Sequence, residues 1–108
     1  MKSAHVYCGI ALRLAVSLGL HRSQSGTSTM DPVHRETRRR VWWTLYLFDR
    51  MISSKLGYPL GIQDEDIDVE LPSMDGLSAA EQSEFNDPIH LRAHASLARI
   101  TGDICKFP

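Results

Sequence analysis

The sequence predicts an all-α fold: a helical array of three main helices plus a short helix, with an extended acidic loop among them. Two observations carry this. Apolar residues recur at helical spacing in three stretches, and helix-starting chemistry stands ahead of the later elements at Asp31-Pro32, Ser78 with Glu81, and Asp87-Pro88. At 108 residues the chain has room for one packed unit with a modest core. Its 43% hydrophobic and 23% charged residues are ordinary for a soluble globular protein, which argues against disorder, collagen and a membrane protein.

From Lys2 to Leu18 the polar positions Lys2, His5, Gly9, Arg13 and Ser17 recur every three or four residues. They leave a broad apolar face of Val6, Tyr7, Ile10, Leu14 and Leu18, which reads as the buried side of a core helix. Arg13, Ser17 and His21 interrupt this stretch before a signal-peptide core or a membrane span is complete. Gly19 is placed to end the helix, because glycine takes the left-handed conformation that a helix C-terminus often needs. Residues 22–31 are rich in Ser, Thr and Gly without periodicity and read as an exposed linker.

Asp31 can cap free backbone N–H groups, and Pro32 suits the first turn because its missing donor is not needed there. A second helix is therefore predicted from Pro32 to about Leu56. Val41, Leu45, Phe48 and Ile52 lie on one stripe of it, while Trp42, Trp43, Tyr46 and Leu47 make its middle apolar nearly all round. Such a helix is buried on several sides. The expected structural core is Trp42, Trp43, Tyr46 and Phe48, with the tryptophans alone removing roughly 300–500 Å² from water.

Gly57, Pro59 and Gly61 stop that helix. Between Ile62 and Pro72, apolar Ile62, Ile67, Val69 and Leu71 alternate with acids, as expected of an extended segment laid over a core. Ser78 and Glu81 have capping-box spacing for a short helix, and Asp87-Pro88 opens the last one. The last helix has an apolar stripe of Ile89, Ala93, Leu97, Ile100, Ile104 and Phe107, which is expected to lack its full partner within this chain.

Charge is unevenly placed. Residues 1–55 carry nine Lys or Arg against three acids, and residues 56–108 carry three against ten, so the net charge of −1 hides halves of +6 and −7. Internal complementarity is the favoured meaning in a folded domain. Cys8 and Cys105 stand at opposite ends with no CxxC, so they offer no zinc cluster; buried thiols in a reducing compartment fit best.

Each candidate site has an ordinary reading. The Arg38-Arg39-Arg40 run could grip phosphates or act as a nuclear-import tract. On a helix, however, consecutive residues diverge by about 100°, so three cannot face one ligand. Pairing with acids such as Glu36, Asp49 or the Asp64–Glu70 run is preferred, and the expected charge clasp is Arg38, Arg39 and Arg40 with Asp49, Asp64, Asp66 and Asp68. Asp64, Asp66 and Asp68 have the alternate spacing of a calcium loop, but Val69 stands where the turn needs glycine. His90 and His94 stand four apart without an HExxH pattern or an obvious third ligand. No GxSxG elbow, phosphate-cradling loop or Cys-His arrangement appears, so no enzyme, cofactor or metal site is expected.

Three ordered motifs carry a resemblance. The first is Gly9-Ile10-Ala11-Leu12-Arg13-Leu14-Ala15 with Leu18-Gly19-Leu20-His21. The second is Glu36-Thr37-Arg38-Arg39-Arg40-Val41-Trp42-Trp43, continuing through Tyr46 to Asp49-Arg50. The third is Gly57-Tyr58-Pro59-Leu60-Gly61-Ile62 followed by Asp64 to Pro72. Together they cover about two thirds of the chain and resemble the fungal-specific transcription factor domain, the middle regulatory region of fungal regulators that bear a binuclear zinc cluster.

The resemblance implies nuclear regulation of transcription, with zinc and DNA held by a six-cysteine cluster that is absent from these residues. Residues 1–108 are then expected to be a single partial regulatory domain that makes no direct nucleic-acid or membrane contact. Its expected partners are the rest of the transcription factor or another protein, with a second copy of the chain and a small-molecule effector also open. In this reading the Trp42-Trp43 helix anchors a scaffold, the arginines clasp the acidic loop, and binding shifts that packing between two states. The alternative is a standalone helical module for protein interaction or small-molecule sensing.

Overall fold

A computed structural model describes residues 2–23, 31–57, 61–74 and 77–105 of the chain. Linker residues 24–30, Tyr58, Pro59, Leu60 and Phe107 lie outside the described residues, as do the side chains of Lys2, Ile104 and Cys105. The described residues form helices α1 (Lys2–Ser17), α2 (Pro32–Leu56), α3 (Ala79–Gln82) and α4 (Ile89–Cys105), with no strand.

Local chemistry sets the helix ends. Gly19, at φ 74°, follows α1 in a Schellman arrangement: the Gly19 N–H donates to Val16 O and the Leu20 N–H to Ala15 O, both at 3.0 Å. The carboxylate of Asp31 accepts from the Val33 N–H ahead of α2, and left-handed Gly57 closes its far end. Ser78 and Glu81 form a complete capping box on α3, and Asp87 accepts from the Ile89 N–H at 3.0 Å.

At 25 residues, α2 is about 37 Å long and is the central rod, with α1 and α4 both packed on it. The core joins Trp42, Trp43 and Tyr46 of α2 to Leu12 and Ala15 of α1, Ala95 and Ala98 of α4, and Leu20, Ile62 and Val69 from the connections. Large rings on the central helix meet small residues on its neighbours. Interlocking large with small lets helices approach at crystal-like density without voids.

That division overturns two expectations about which faces are inside, one on α1 and one on α2. Val6, Tyr7, Ile10, Leu14 and Leu18 of the α1 region are between 53% and 71% exposed, because α1 presents Leu12 and Ala15 to α2 instead. On α4 the residues Ile89, Leu97 and Ile100 point outward, in keeping with a stripe expected to lack its full partner, while Ala95, Ala98 and Gly102 face α2. Phe48 is 46% exposed and does not belong with Trp42, Trp43 and Tyr46: two residues beyond Tyr46 it has turned about 200° around the helix. Val41 of the same expected stripe is also exposed, whereas Ile52 is buried.

The segment after α2 is not extended throughout. Asp64–Asp66 make a single 3-10 turn, closed by the Asp66 N–H to Gln63 O and the Ile67 N–H to Asp64 O, both at 3.1 Å. Beyond it the chain runs back over the core with Val69 and Pro72 buried. The backbone N–H groups of Asp68 and Val69 both donate to His21 O, tying this segment to the start of the linker.

Candidate functional site: arginine clasps and an open cleft

The three consecutive arginines fan out from α2 to three separate segments, although Arg39 and Arg40 also share Glu36. Arg38 donates through Nη2 to Leu18 O at 2.8 Å, tying down the end of α1. Arg39 stands 3.3 Å from Glu70 in the acidic segment and 3.5 Å from Glu36. Arg40 donates through Nε to Glu36 at 2.7 Å and through Nη1 to Asn86 O at 2.7 Å, with its guanidinium 4.7 Å above the Phe85 ring. Glu36 is 2% exposed and also accepts from the Ser73 N–H. The side chains of Arg39 and Arg40 are only 14% and 16% exposed, so little of either is left to grip an outside phosphate.

The expected acids are distributed differently from the expected clasp. None of Asp49, Asp64, Asp66 and Asp68 pairs with Arg38, Arg39 or Arg40 among the described residues. Asp68 lies 3.6 Å from Arg22 and accepts from the Ser23 N–H, and the Ser23 hydroxyl donates to Glu70. Asp66 is exposed because the 3-10 turn directs it away from α2.

Asp49 and Asp64 are held by Arg50, which the expected clasp omitted. The guanidinium of Arg50 is 1% exposed and makes four contacts: Asp49 at 3.2 Å, Ile62 O at 2.8 Å, Asp64 at 2.8 Å, and the Tyr46 ring 4.4 Å from its centre. The Tyr46 hydroxyl donates to the same Asp64 oxygen at 2.7 Å. The sequence carries a signal for this: Arg50 stands four residues after Tyr46 and seven after Trp43, on the buried face of α2, where a charge requires partners.

Two glycines make room for the hub. A Cβ at Gly102 of α4 would lie 2.8 Å from Arg50 Nε, and one at Gly61 would lie 2.6 Å from Leu12 Cδ2 and 2.8 Å from Asp49 Oδ1. Gly61 also donates its N–H to both Asp49 oxygens at 3.1 Å. A Gly61→Ala variant is expected to lose about 1–3 kcal/mol from overpacking, read as a lower midpoint in urea denaturation.

The carboxyls titrate in opposite senses. Burial raises the Asp49 carboxyl above its ordinary range, against the pull of the Gly61 N–H and the Arg50 charge. Partial burial also pushes Asp64 upward, but hydrogen bonds from Tyr46 and Arg50 outweigh it and hold the group below its ordinary range. At Glu70 the Ser23 hydroxyl and Arg39 likewise outweigh partial burial, and the net shift is downward. The stability given by Asp64 and Glu70 is therefore present above the unfolded carboxylate range and is lost as pH falls through their depressed values. Asp49 acts oppositely, its contribution being full at low pH and lost as pH rises through its raised value. Stability measured from pH 7 to pH 3 is expected to fall at the acid end, and Asp64→Asn is expected to flatten that fall.

Beside the hub an open cleft of about 930 Å³ runs between α1 and residues 61–66. Its α1 side offers His5, Leu12, Arg13 and Val16, and the turn after α1 offers His21 and Arg22. Asp49, Ile62, Gln63 and Asp66 face them. The half-buried Cys8 thiol is pushed up by burial and by Asp49, which leaves it a poor nucleophile. His90 and His94 are both exposed on α4. Among the described residues no three His, Cys, Asp or Glu gather as a metal site, and no helix is long and apolar enough to cross a membrane.

Over residues 2–107 the sequence matches the family described as the fungal specific transcription factor domain. The chain belongs to this family. Among fungal-specific transcription factor domain relatives, it is 44% identical over 73 residues to an uncharacterized transcriptional regulatory protein of Schizosaccharomyces pombe, covering 68% of this chain and 9% of that protein. It is 37% identical over 106 residues to a negative regulator of pleiotropic drug resistance of Candida glabrata, covering 96% and 10%. An ABC-transporter-regulating transcription factor of Aspergillus oryzae is 46% identical over 65 residues, covering 60% and 7%. The chain thus spans about a tenth or less of the length of the curated relatives it matches. No solved structure matches it.

Proposed function

We propose that this chain is the inner scaffold of a fungal transcription factor's regulatory region, acting in the nucleus while a separate zinc-cluster segment reads DNA. The observation that carries this reading is the outward placing of large apolar side chains on both flanking helices, Tyr7, Ile10 and Leu14 on α1 and Ile89, Leu97 and Ile100 on α4. Contiguous exposed apolar surface of this kind marks a face that binds something. The small share of its relatives' length that the chain spans supports the rest of the regulator as the occupant. The covered state of Arg39 and Arg40 supports a role without direct nucleic-acid contact. No catalytic role is assigned, and zinc belongs to the separate DNA-reading segment.

A reporter assay tests this. Fused to an unrelated DNA-binding domain, the chain is expected to change transcription from that domain's sites. Charging the outer face of α1 with Ile10→Lys and Leu14→Lys is expected to return the output to that of the DNA-binding domain alone while leaving helicity intact. A fusion indistinguishable from the bare DNA-binding domain, or one indifferent to the two lysines, would reject the reading.

A further inference from the structure

We infer that the cleft between α1 and residues 61–66 binds a small organic anion, a carboxylate carried on an apolar body. As an effector site it rests on the regulatory role proposed above; as a binding site it stands on its own geometry. At about 930 Å³ the cleft falls within the size range of small-molecule sites. Leu12, Val16 and Ile62 supply apolar wall, and Gly9 keeps the α1 side open, since a Cβ there would meet nothing within 4 Å.

The free hydrogen-bonding capacity of the lining decides the ligand's charge. Asp49 is already engaged, its oxygens taken by the Gly61 N–H and the Arg50 guanidinium. On the donor side Arg13 has no ion-pair partner among the described residues, and Arg22 has only its 3.6 Å approach to Asp68, a contact more than half exposed on both sides. His21 lies against Trp42 with ring centres 5.8 Å apart, and its shielded Nδ1 has no hydrogen-bond partner among the described residues. Against these stands the single uncommitted acid Asp66. Two arginines set against one carboxylate favour an anion, and the fork of arginine suits a carboxylate in particular.

The test uses the 108-residue chain, three naphthalene probes and amide shifts in proton-nitrogen correlation spectra. The probes are 2-naphthoate, the neutral 2-naphthylmethanol and the cationic 2-naphthylmethylammonium, which share an apolar body and differ in charge. The expected result is saturable binding of naphthoate that moves the amides of Arg13, Ser17 and Gln63, with weaker binding of the alcohol and weakest of the ammonium. Arg13→Ala with Arg22→Ala is expected to weaken naphthoate binding roughly tenfold, in line with losing a charge-assisted contact. Arg13→Lys is expected to retain much of it, and Asp66→Asn to tighten it. All three positions are exposed, so the fold is kept. Equal or tighter binding of the ammonium, shifts on Val6, Tyr7 and Ile10 in place of the cleft, or no saturable binding would each overturn the inference. None of those results bears on the reporter assay, so the two readings fail separately.

Discussion

Replacing Arg50 by alanine is expected to cost the fold about 3–5 kcal/mol, the usual effect of removing one partner from a buried ion pair. The loss has three sources. Asp49, 5% exposed, would keep only the Gly61 N–H as a strong partner, and Asp64 would keep only the Tyr46 hydroxyl. The carbonyl of Ile62 would be left without its donor. The space vacated beneath Gly102 of α4 would become a cavity, because that helix approaches so closely only while the guanidinium fills it. Arg50→Lys is expected to recover part of the loss, since one ammonium cannot reach Asp49, Asp64 and Ile62 O while lying flat on Tyr46. Urea unfolding followed by tryptophan fluorescence measures both variants. A domain of this size has only about 5–15 kcal/mol in all, so a loss of this size should appear as a markedly lower midpoint in urea.

The second large effect is expected at the tryptophans. Trp43→Ala should cost about 3–5 kcal/mol through a cavity that the small residues around it cannot close. The finer result separates the two rings. Trp43 donates its indole N–H to Glu70 O at 2.9 Å, whereas the buried Trp42 N–H has no partner among the described residues. Trp43→Phe removes a hydrogen bond and orphans a carbonyl, and Trp42→Phe does neither. Trp43→Phe is therefore expected to be worse than Trp42→Phe by about 1 kcal/mol, measured as the difference in unfolding free energy. Equal losses would mean that the Glu70 contact contributes nothing.

Helix positions were legible in the sequence because their ends depend on short-range chemistry. Asp31-Pro32, Gly19, Gly57 and the Ser78-Glu81 pair each satisfy or terminate backbone groups within a few residues, and the helices begin and end beside them. The divergence of Arg38, Arg39 and Arg40 was equally legible, since 100° per residue follows from helix geometry alone. Which face of α1 lies inside was not, and on α4 only the missing partner of the large stripe was, not the small residues that pack in its place. Reading the large aliphatics as core and the small residues as filler assumes that each helix buries its greasiest side. Here α2 carries the bulk, and room for Trp42, Trp43, Tyr46 and Arg50 exists only where α1 and α4 offer Ala15, Ala95, Ala98 and Gly102. That matching is a property of pairs of helices and has no signature within either one. The acidic run was misassigned for a related reason. Its alternation suggested a segment extended throughout, but the 3-10 turn at Asp64–Asp66 sends Asp64 inward to Arg50 and leaves Asp66 outside.

Two adjacent residues of α4 test the central claim, that small residues pack inward and large ones face out. Leu97 is 60% exposed and Ala98 is 5% exposed. The decisive measurement is the unfolding free energy of Leu97→Ser beside that of Ala98→Leu in the same chain. Leu97→Ser is expected to change stability by no more than about 0.5 kcal/mol, as surface substitutions usually do. Ala98→Leu is expected to cost about 1–3 kcal/mol by forcing α4 away from α2. A clear loss at Leu97→Ser together with a neutral Ala98→Leu would mean that the large aliphatic stripe faces the core, and would contradict both the packing and the docking faces drawn from it.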